Sequence, residues 1–133
     1  MQRIELAKNV HLHVHPCEKF KDTTIEINCV LPIELTGSIS IVLAFLLDDV
    51  CMKYQTKKQA TQLFDDLYGA DFEASEIAKG KSGILKFTSH CIDGRYVKDD
   101  TLLERQIDAM HEFIMHPWIE DGLFYEPLFI EAR

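Results

Sequence analysis

The sequence has no long hydrophobic run. Its longest nearly apolar stretch, residues 39–47, is far shorter than the roughly 20 residues needed to span a bilayer. The first ten residues, MQRIELAKNV, also lack the apolar core of a secretory signal peptide. We therefore predict a cytoplasmic protein that neither crosses nor binds a membrane.

Basic residues are scarce, and no two cysteines are closely spaced. The chain has 14 Lys and Arg residues against 22 Asp and Glu residues, so its formal net charge is −8. The excess of negative charge repels phosphate backbones, which argues against a general role in nucleic-acid binding. The four cysteines form no C-x-x-C pair, which favours reduced, mostly buried thiols but leaves a disulfide pair open: Cys17, Cys29, Cys51 and Cys91.

Common motifs of nucleophilic and phosphate chemistry are also missing. The sequence contains no G-x-S-x-G and no glycine-rich phosphate loop. Ser89, His90 and Cys91 are neighbours on a predicted strand, where successive side chains point to opposite faces. They therefore do not form a catalytic relay among themselves.

The 133 residues, of which 47% are hydrophobic and 27% charged, suit one globular domain with one core. Alternating apolar and polar residues predict a strand over 10–15, with Val10, Leu12 and Val14 turned to the core, and a second strand over 23–31. The intervening EKFKD favours an antiparallel hairpin between them. Residues 71–78 and 82–92 predict two more strands joined by KGKSG, with Leu85, Phe87 and Cys91 on one face of the second.

Helical spacing is clearest over residues 56–70, where Gly69 marks the end. An apolar stripe runs along this helix: Ala60, Leu63, Phe64 and Leu67. Residues 36–54 predict a largely buried helix with Thr36 or Ser38 as its cap, although a short buried strand competes because isoleucine and valine favour strands.

Residues 99–117 predict an amphipathic helix that Asp99 or Asp100 caps and Pro117 ends. Its expected apolar stripe is Leu103, Ile107, Met110 and Ile114. Residues 123–133 begin a last helix. The resulting order, β-β-α-α-β-β-α-α, predicts an α+β fold with helices on one face of a mostly antiparallel sheet, in a single domain over residues 1–133.

Histidines occupy alternate positions of the first predicted strand, NVHLHVHPC. His11, His13, His15 and Cys17 share one face, but the ends of this row are roughly 20 Å apart. One metal ion could therefore reach at most two neighbours in the row. We consider His13 and His15 with His90 as a weak metal site, against the simpler interpretation of a solvent-facing strand surface.

Acidic doublets are the other candidate for chemistry. Adjacent helical residues point about 100° apart, so a doublet is not a catalytic carboxylate pair by itself. Asp48-Asp49 stands out because it follows directly on an apolar helical segment. This position is either the point where the helix emerges into solvent or part of a functional site.

Several stretches together resemble the opening half-domain of the M16 (insulinase/pitrilysin-like) peptidases, and most closely their non-catalytic YfmF-like subgroup. In chain order these are NVHLHVHPCEKFKDTTIEI, LAFLLDDV, ATQLFDDLYGADFEAS and HPWIEDGLFYEPLFIEAR. The resemblance implies a LuxS/MPP-like metallohydrolase half-domain. It also implies that the chain is the N-terminal part of such a half-domain, truncated at its C-terminus.

Active members of the family carry an inverted zinc motif, H-x-x-E-H, on their first long helix. In LAFLLDDV the resemblance places Phe45 at the first histidine, Asp48 at the glutamate and Asp49 at the second histidine. Phenylalanine cannot ligate zinc, and without a metal Asp48 has no acidified water to deprotonate. We therefore expect no catalytic residues, no metal and no cofactor, with Phe45 packed and both aspartates hydrogen-bonded or solvated.

The resemblance implies a non-catalytic protein that works beside a catalytic M16 partner, in a pair linked to modification of a translation elongation factor. We also expect self-association through the apolar WIEDGLFYEPLFI segment. Two alternatives stay open: a zinc-dependent peptidase or other metallohydrolase with displaced ligands, and a general protein-interaction module.

Overall fold

The computed structural model describes residues 1–34 and 37–133, and in this part of the chain seven strands and five helices alternate in groups. The strands are β1 Gln2–Ala7, β2 Val10–Val14, β3 Asp22–Pro32, β4 Glu73–Lys79, β5 Ser82–Ile92, β6 Ile119–Glu120 and β7 Leu123–Phe124. The helices are α1 Ile33–Asp48, α2 Lys57–Asp66, α3 Gly94–Val97, α4 Leu102–Met115 and α5 Glu126–Ala132. The predicted α+β class is confirmed, and β1, α3, β6 and β7 were not predicted.

The strands form three antiparallel sheets. The largest has the order β3-β5-β4, whereas β1 pairs with β2 and β6 with β7. The predicted hairpin between residues 10–15 and 23–31 is therefore wrong. Residues 10–14 pair instead with β1 through a tight turn in which Asn9 has a φ of +64°, a conformation that asparagine tolerates better than most residues.

The core lies on one face of the three-stranded sheet. Side chains of β5 alternate between buried and partly exposed, which confirms the predicted face. Leu85 and Phe87 pack against Ala44 and Leu47 of α1 and against Met110 of α4. Both helices thus cover the same face of the sheet.

Helix α2 begins as its sequence dictates. Thr56 accepts a hydrogen bond from the backbone N–H of Gln59, whose side chain accepts one from the N–H of Thr56. This capping box satisfies two otherwise unpaired donors. The predicted stripe is confirmed: Ala60 and Leu67 are buried, and Leu63 and Phe64 pack against the core clusters.

Helix α1 differs from its prediction at both ends. It ends at Asp48 rather than near residue 54, because the chain then turns and the N–H of Cys51 donates to the carbonyl of Tyr54. At the other end, Gly37 interrupts the helix with a φ of +39°, in the region that favours glycine. Ser38 follows this break, and the other predicted cap, Thr36, lies outside the described residues.

The predicted buried stripe of α4 is confirmed in its second half, where Met110 is buried and Ile114 packs partly buried against the core, and is wrong in its first half. Leu103 and Ile107 are about half exposed, at 52% and 50%, whereas Leu102 and Gln106 are each only 1% exposed. The polar Gln106 hides the true stripe from a search for apolar periodicity. Its side-chain amide is accommodated because it donates hydrogen bonds to groups of β3 and β5.

Two further expectations of burial are wrong. Val10, Leu12 and Val14 of β2 were predicted to face the core, but each is 39% exposed or more. All four cysteines are free thiols, of which Cys51 and Cys91 are buried and Cys17 and Cys29 are exposed. Separately, no helix among the described residues is both long enough and apolar enough to cross a bilayer.

Candidate functional site

The end of α1 brings together the three residues that the resemblance singles out. Phe45 is 40% exposed, so the expectation of a packed phenylalanine is wrong. Asp48 and Asp49 close the helix one turn later, and each carboxylate is held by a protein group, as expected. The site therefore consists of an exposed ring beside two engaged carboxylates.

Asp48 links α1 to the edge strand β4. Its Oδ1 accepts a hydrogen bond of 2.7 Å from the backbone N–H of Ala74. Partial burial raises the pKa of this carboxyl above its ordinary value, and the Ala74 hydrogen bond opposes that shift only in part. A carboxyl with a raised pKa could serve as an acid or base, but it needs a polarised substrate or water beside it.

Asp49 forms an ion pair with Lys57 at the start of α2, with 3.0 Å between Oδ2 and Nζ. The hydrogen bond from the ammonium group and the adjacent negative charge raise the pKa of Lys57. Lys57 thus occupies one lone pair of the carboxylate that stands at the second histidine position. A metal ion would have to displace this lysine to bind there.

An open pocket of about 350 Å³ lies beside these carboxylates, between the end of α1, helix α2 and the loop before β4. Its lining includes four aspartates and one lysine: Asp48, Asp49, Asp65, Asp71 and Lys57. No histidine or cysteine lines it among the described residues. Because zinc in proteins prefers nitrogen and sulfur ligands, these residues do not fit the zinc that the resemblance associates with this helix.

The histidine row of β2 borders a different pocket from the one at the α1 terminus. His13 and His15 line a pocket of about 510 Å³ together with Cys17, Phe20, Asp22 and Thr24. His90 does not line this pocket; its ring Nδ1 lies 3.1 Å from Oδ1 of Asp71, and its backbone N–H donates to the same oxygen. The structure therefore does not bring the ligand atoms of His13, His15 and His90 together.

A cluster that sequence reasoning missed stands at the end of α4. His111, Glu112 and His116 place one ligand atom each within 4.8 Å of the others, in the part of the chain that the structure describes. The signal in the sequence is HEFIMH, with two histidines and a glutamate within two turns. It differs from H-E-x-x-H by one residue, so a motif search passes over it.

Comparison with known proteins adds a likeness of fold. No family model and no curated protein matches the chain. The crystal structure of a conserved protein from Enterococcus faecalis V583 is similar, with a TM-score of 0.93 over 98% of this chain and 24% sequence identity. The chain spans 31% of the length of that protein. The two share this part of their fold.

Proposed function

We propose that the chain is the N-terminal part of an M16-like half-domain that has lost catalysis and acts as a scaffold or partner of a catalytic M16-type subunit. The single observation that carries this proposal is the state of the α1 terminus. The positions that the resemblance assigns to zinc ligands hold an exposed phenylalanine and an aspartate paired with Lys57.

The role of Asp48 supports the same proposal. Its carboxylate stands where the resemblance places the general base, yet it accepts a short hydrogen bond from Ala74 of β4. This contact ties helix to sheet and gives the residue a structural use. The LuxS/MPP-like fold stays part of the proposal, supported by the antiparallel sheet with α1 and α4 on one face.

A surface for the partner lies between α1 and α5. An apolar groove of about 360 Å³ runs there, lined by Ser38, Ile39, Val42, Leu43, Leu46, Phe124 and Phe129. Ile39 is 69% exposed at its edge, and Leu123 is 72% exposed nearby. Exposed apolar surface of this kind is typical of protein interfaces, and we assign it to the catalytic subunit.

The catalytic half of the proposal is tested by peptide hydrolysis. The chain is incubated with unstructured peptides and added zinc, alongside Asp48→Asn. We expect no hydrolysis above buffer from either protein. Zinc-dependent hydrolysis that disappears in Asp48→Asn would overturn the proposal, because it would assign a working base to that carboxyl.

The partner half is tested by light scattering after size-exclusion chromatography of the chain mixed with an active M16-type subunit. We expect a complex that is lost in Ile39→Asp/Phe129→Asp and kept in Leu103→Asp/Ile107→Asp. The control pair removes two exposed apolar side chains of α4 far from the groove residues in sequence. Absence of a complex, or equal loss in both variants, would contradict the assigned surface.

The same end of the chain also supports self-association. Leu123 of β7 is 72% exposed and Ile130 of α5 is 60% exposed, so this end of the chain presents apolar surface. Without the subunit, we expect the chain to form a dimer or larger species at micromolar concentration. A monomer of 15.3 kDa over that range would show that this surface does not bind a second copy.

A further inference from the structure

The cluster at the end of α4 brings three potential metal ligands close together. Nδ1 of His116 lies 3.3 Å from Oε2 of Glu112, and the ring centroids of His111 and His116 are 5.3 Å apart. With metal–ligand distances of about 2.0–2.1 Å, two ligand atoms of a tetrahedral site lie about 3.3–3.4 Å apart. The distance between the Glu112 oxygen and the His116 nitrogen already matches this separation of two ligand atoms.

The remaining ligand atoms need only small movements. All three lie within 4.8 Å of one another, and the two histidines are exposed, so rotation about their side-chain bonds can close the set. The backbone beneath them is held firmly. The N–H of His116 donates to the carbonyl of Glu112, and the carbonyl of His116 accepts from the N–H of Met52.

Neighbouring features favour a cation here. Phe113, fully buried among aromatic rings, anchors the turn from which Glu112 and His116 project. The cluster also stands at the C-terminal end of a helix of 14 residues, where the helix dipole favours positive charge. His111 and Glu112 border an open pocket of about 380 Å³, which leaves room for a further ligand and is also lined by two acidic residues, Asp66 and Asp108, and two basic ones, Lys53 and Arg105.

We propose that His111, Glu112 and His116 bind a divalent transition-metal ion, with zinc as the best fit. Two imidazoles and one carboxylate are a ligand set that zinc uses when it keeps one position open. Because both histidines are exposed, a water molecule or a side chain of a partner could reach that open position. Such an ion would clamp the last turn of α4 to the residue that follows it.

The competing explanation is an ion pair between Glu112 and His116 that binds no metal. The two explanations differ in a titration of the full chain with zinc chloride, followed by calorimetry. The metal-site proposal predicts stoichiometric binding, and magnesium chloride should give no binding because magnesium prefers oxygen ligands. An ion pair alone predicts no stoichiometric binding of either ion.

Variants locate the site. We expect His111→Gln/His116→Gln to weaken zinc binding by at least about tenfold, since even residues outside the ligand set commonly cost that much. The matched control, His13→Gln/His15→Gln, removes two histidines of the β2 row and should leave the affinity unchanged. Both pairs replace exposed side chains, so thermal unfolding without zinc should confirm that each variant folds.

Three results would each overturn the proposal. One is binding only at millimolar zinc, which would mark an adventitious ion. The second is equal affinity in the wild type and His111→Gln/His116→Gln, and the third is loss of binding in the β2 control, His13→Gln/His15→Gln. Asp48→Asn/Asp49→Asn should also keep the affinity for zinc, and this separates the proposed site from the α1 terminus.

NMR of the imidazole nitrogens provides an independent measurement, with zinc-dependent chemical-shift changes expected at His111 and His116.

Discussion

The carboxylate of Asp48, at the last residue of α1, accepts a 2.7 Å hydrogen bond from the backbone N–H of Ala74 in β4. Ala74 pairs with Phe87 of the central strand, and Phe87 packs in the same core cluster as Ala44 and Leu47 of α1. One carboxylate thus joins the helix terminus to the sheet edge directly above the core. This contact is the basis of the first two predictions.

Asp48→Ala is expected to destabilise the fold by about 1–3 kcal/mol, because it leaves a partly buried backbone donor without its acceptor. Urea denaturation gives the free energy of unfolding. The matched variant is Asp49→Ala, which breaks an exposed ion pair with Lys57 and should cost about 1 kcal/mol or less. Equal losses of free energy of unfolding in the two variants would show that the hydrogen bond from Ala74 stabilises the fold no more than the exposed ion pair does.

Asp48→Asn is expected to change how stability depends on pH. Burial raises the pKa of Asp48 above 3.8, so between that value and its folded pKa the folded chain binds more protons than the unfolded chain. The contribution of Asp48 to stability therefore falls as pH rises through this window. Asparagine does not ionise, and its Oδ1 can still accept from Ala74.

The stability of Asp48→Asn relative to wild type should consequently increase as pH rises above about 4, and it should level off once Asp48 is ionised in the folded chain. Urea unfolding at several pH values measures this difference. Asp108→Asn, at an exposed position of α4, is the control for removal of a negative charge. A difference that stays constant with pH would contradict the raised pKa of Asp48.

Gln106→Leu is expected to destabilise the fold by about 1–3 kcal/mol although it adds an apolar side chain to the core. The Gln106 amide donates to Oγ of Ser89 at 3.0 Å, and its nitrogen lies 3.3 Å and 3.4 Å from the carbonyls of Ser89 and Thr23. The substitution leaves these acceptors without their donor.

A double-mutant cycle with Ser89→Ala tests this explanation. Because the two side chains share a hydrogen bond, the double variant should lose less free energy of unfolding than the two single variants lose in sum. Gln62→Leu, which removes an exposed contact with Asp66, controls for the change of residue type. Strict additivity, or a stable Gln106→Leu, would show that the amide is not needed for packing α4 on the sheet.

Phe113→Ala is expected to cost about 3–5 kcal/mol, as for other fully buried aromatic residues. Phe113 is 0% exposed and lies against the rings of Tyr54, Phe64 and Phe72. Leu103→Ala, on the exposed face of the same helix, should be close to neutral. Chemical denaturation of both variants measures the difference in their free energies of unfolding. Similar losses of stability would show that Phe113 does not lie on the buried face of α4.

The sequence by itself determined the properties that depend on local backbone geometry. Helical spacing identified α2 and its stripe, which ends at the buried Leu67, and alternation identified the buried face of β5. Both patterns follow from the repeat of a single element. The T-x-x-Q capping box at Thr56 was equally local, and could have been recognised from the sequence.

Only the tertiary structure decided which surfaces meet. It paired β2 with β1, exposed Phe45, and turned Gln106 rather than Leu103 into the core. It also brought Asp48 to Ala74, 26 residues away. Contacts between elements depend on long-range packing and on which polar groups find partners, and the period of one element carries no information about either.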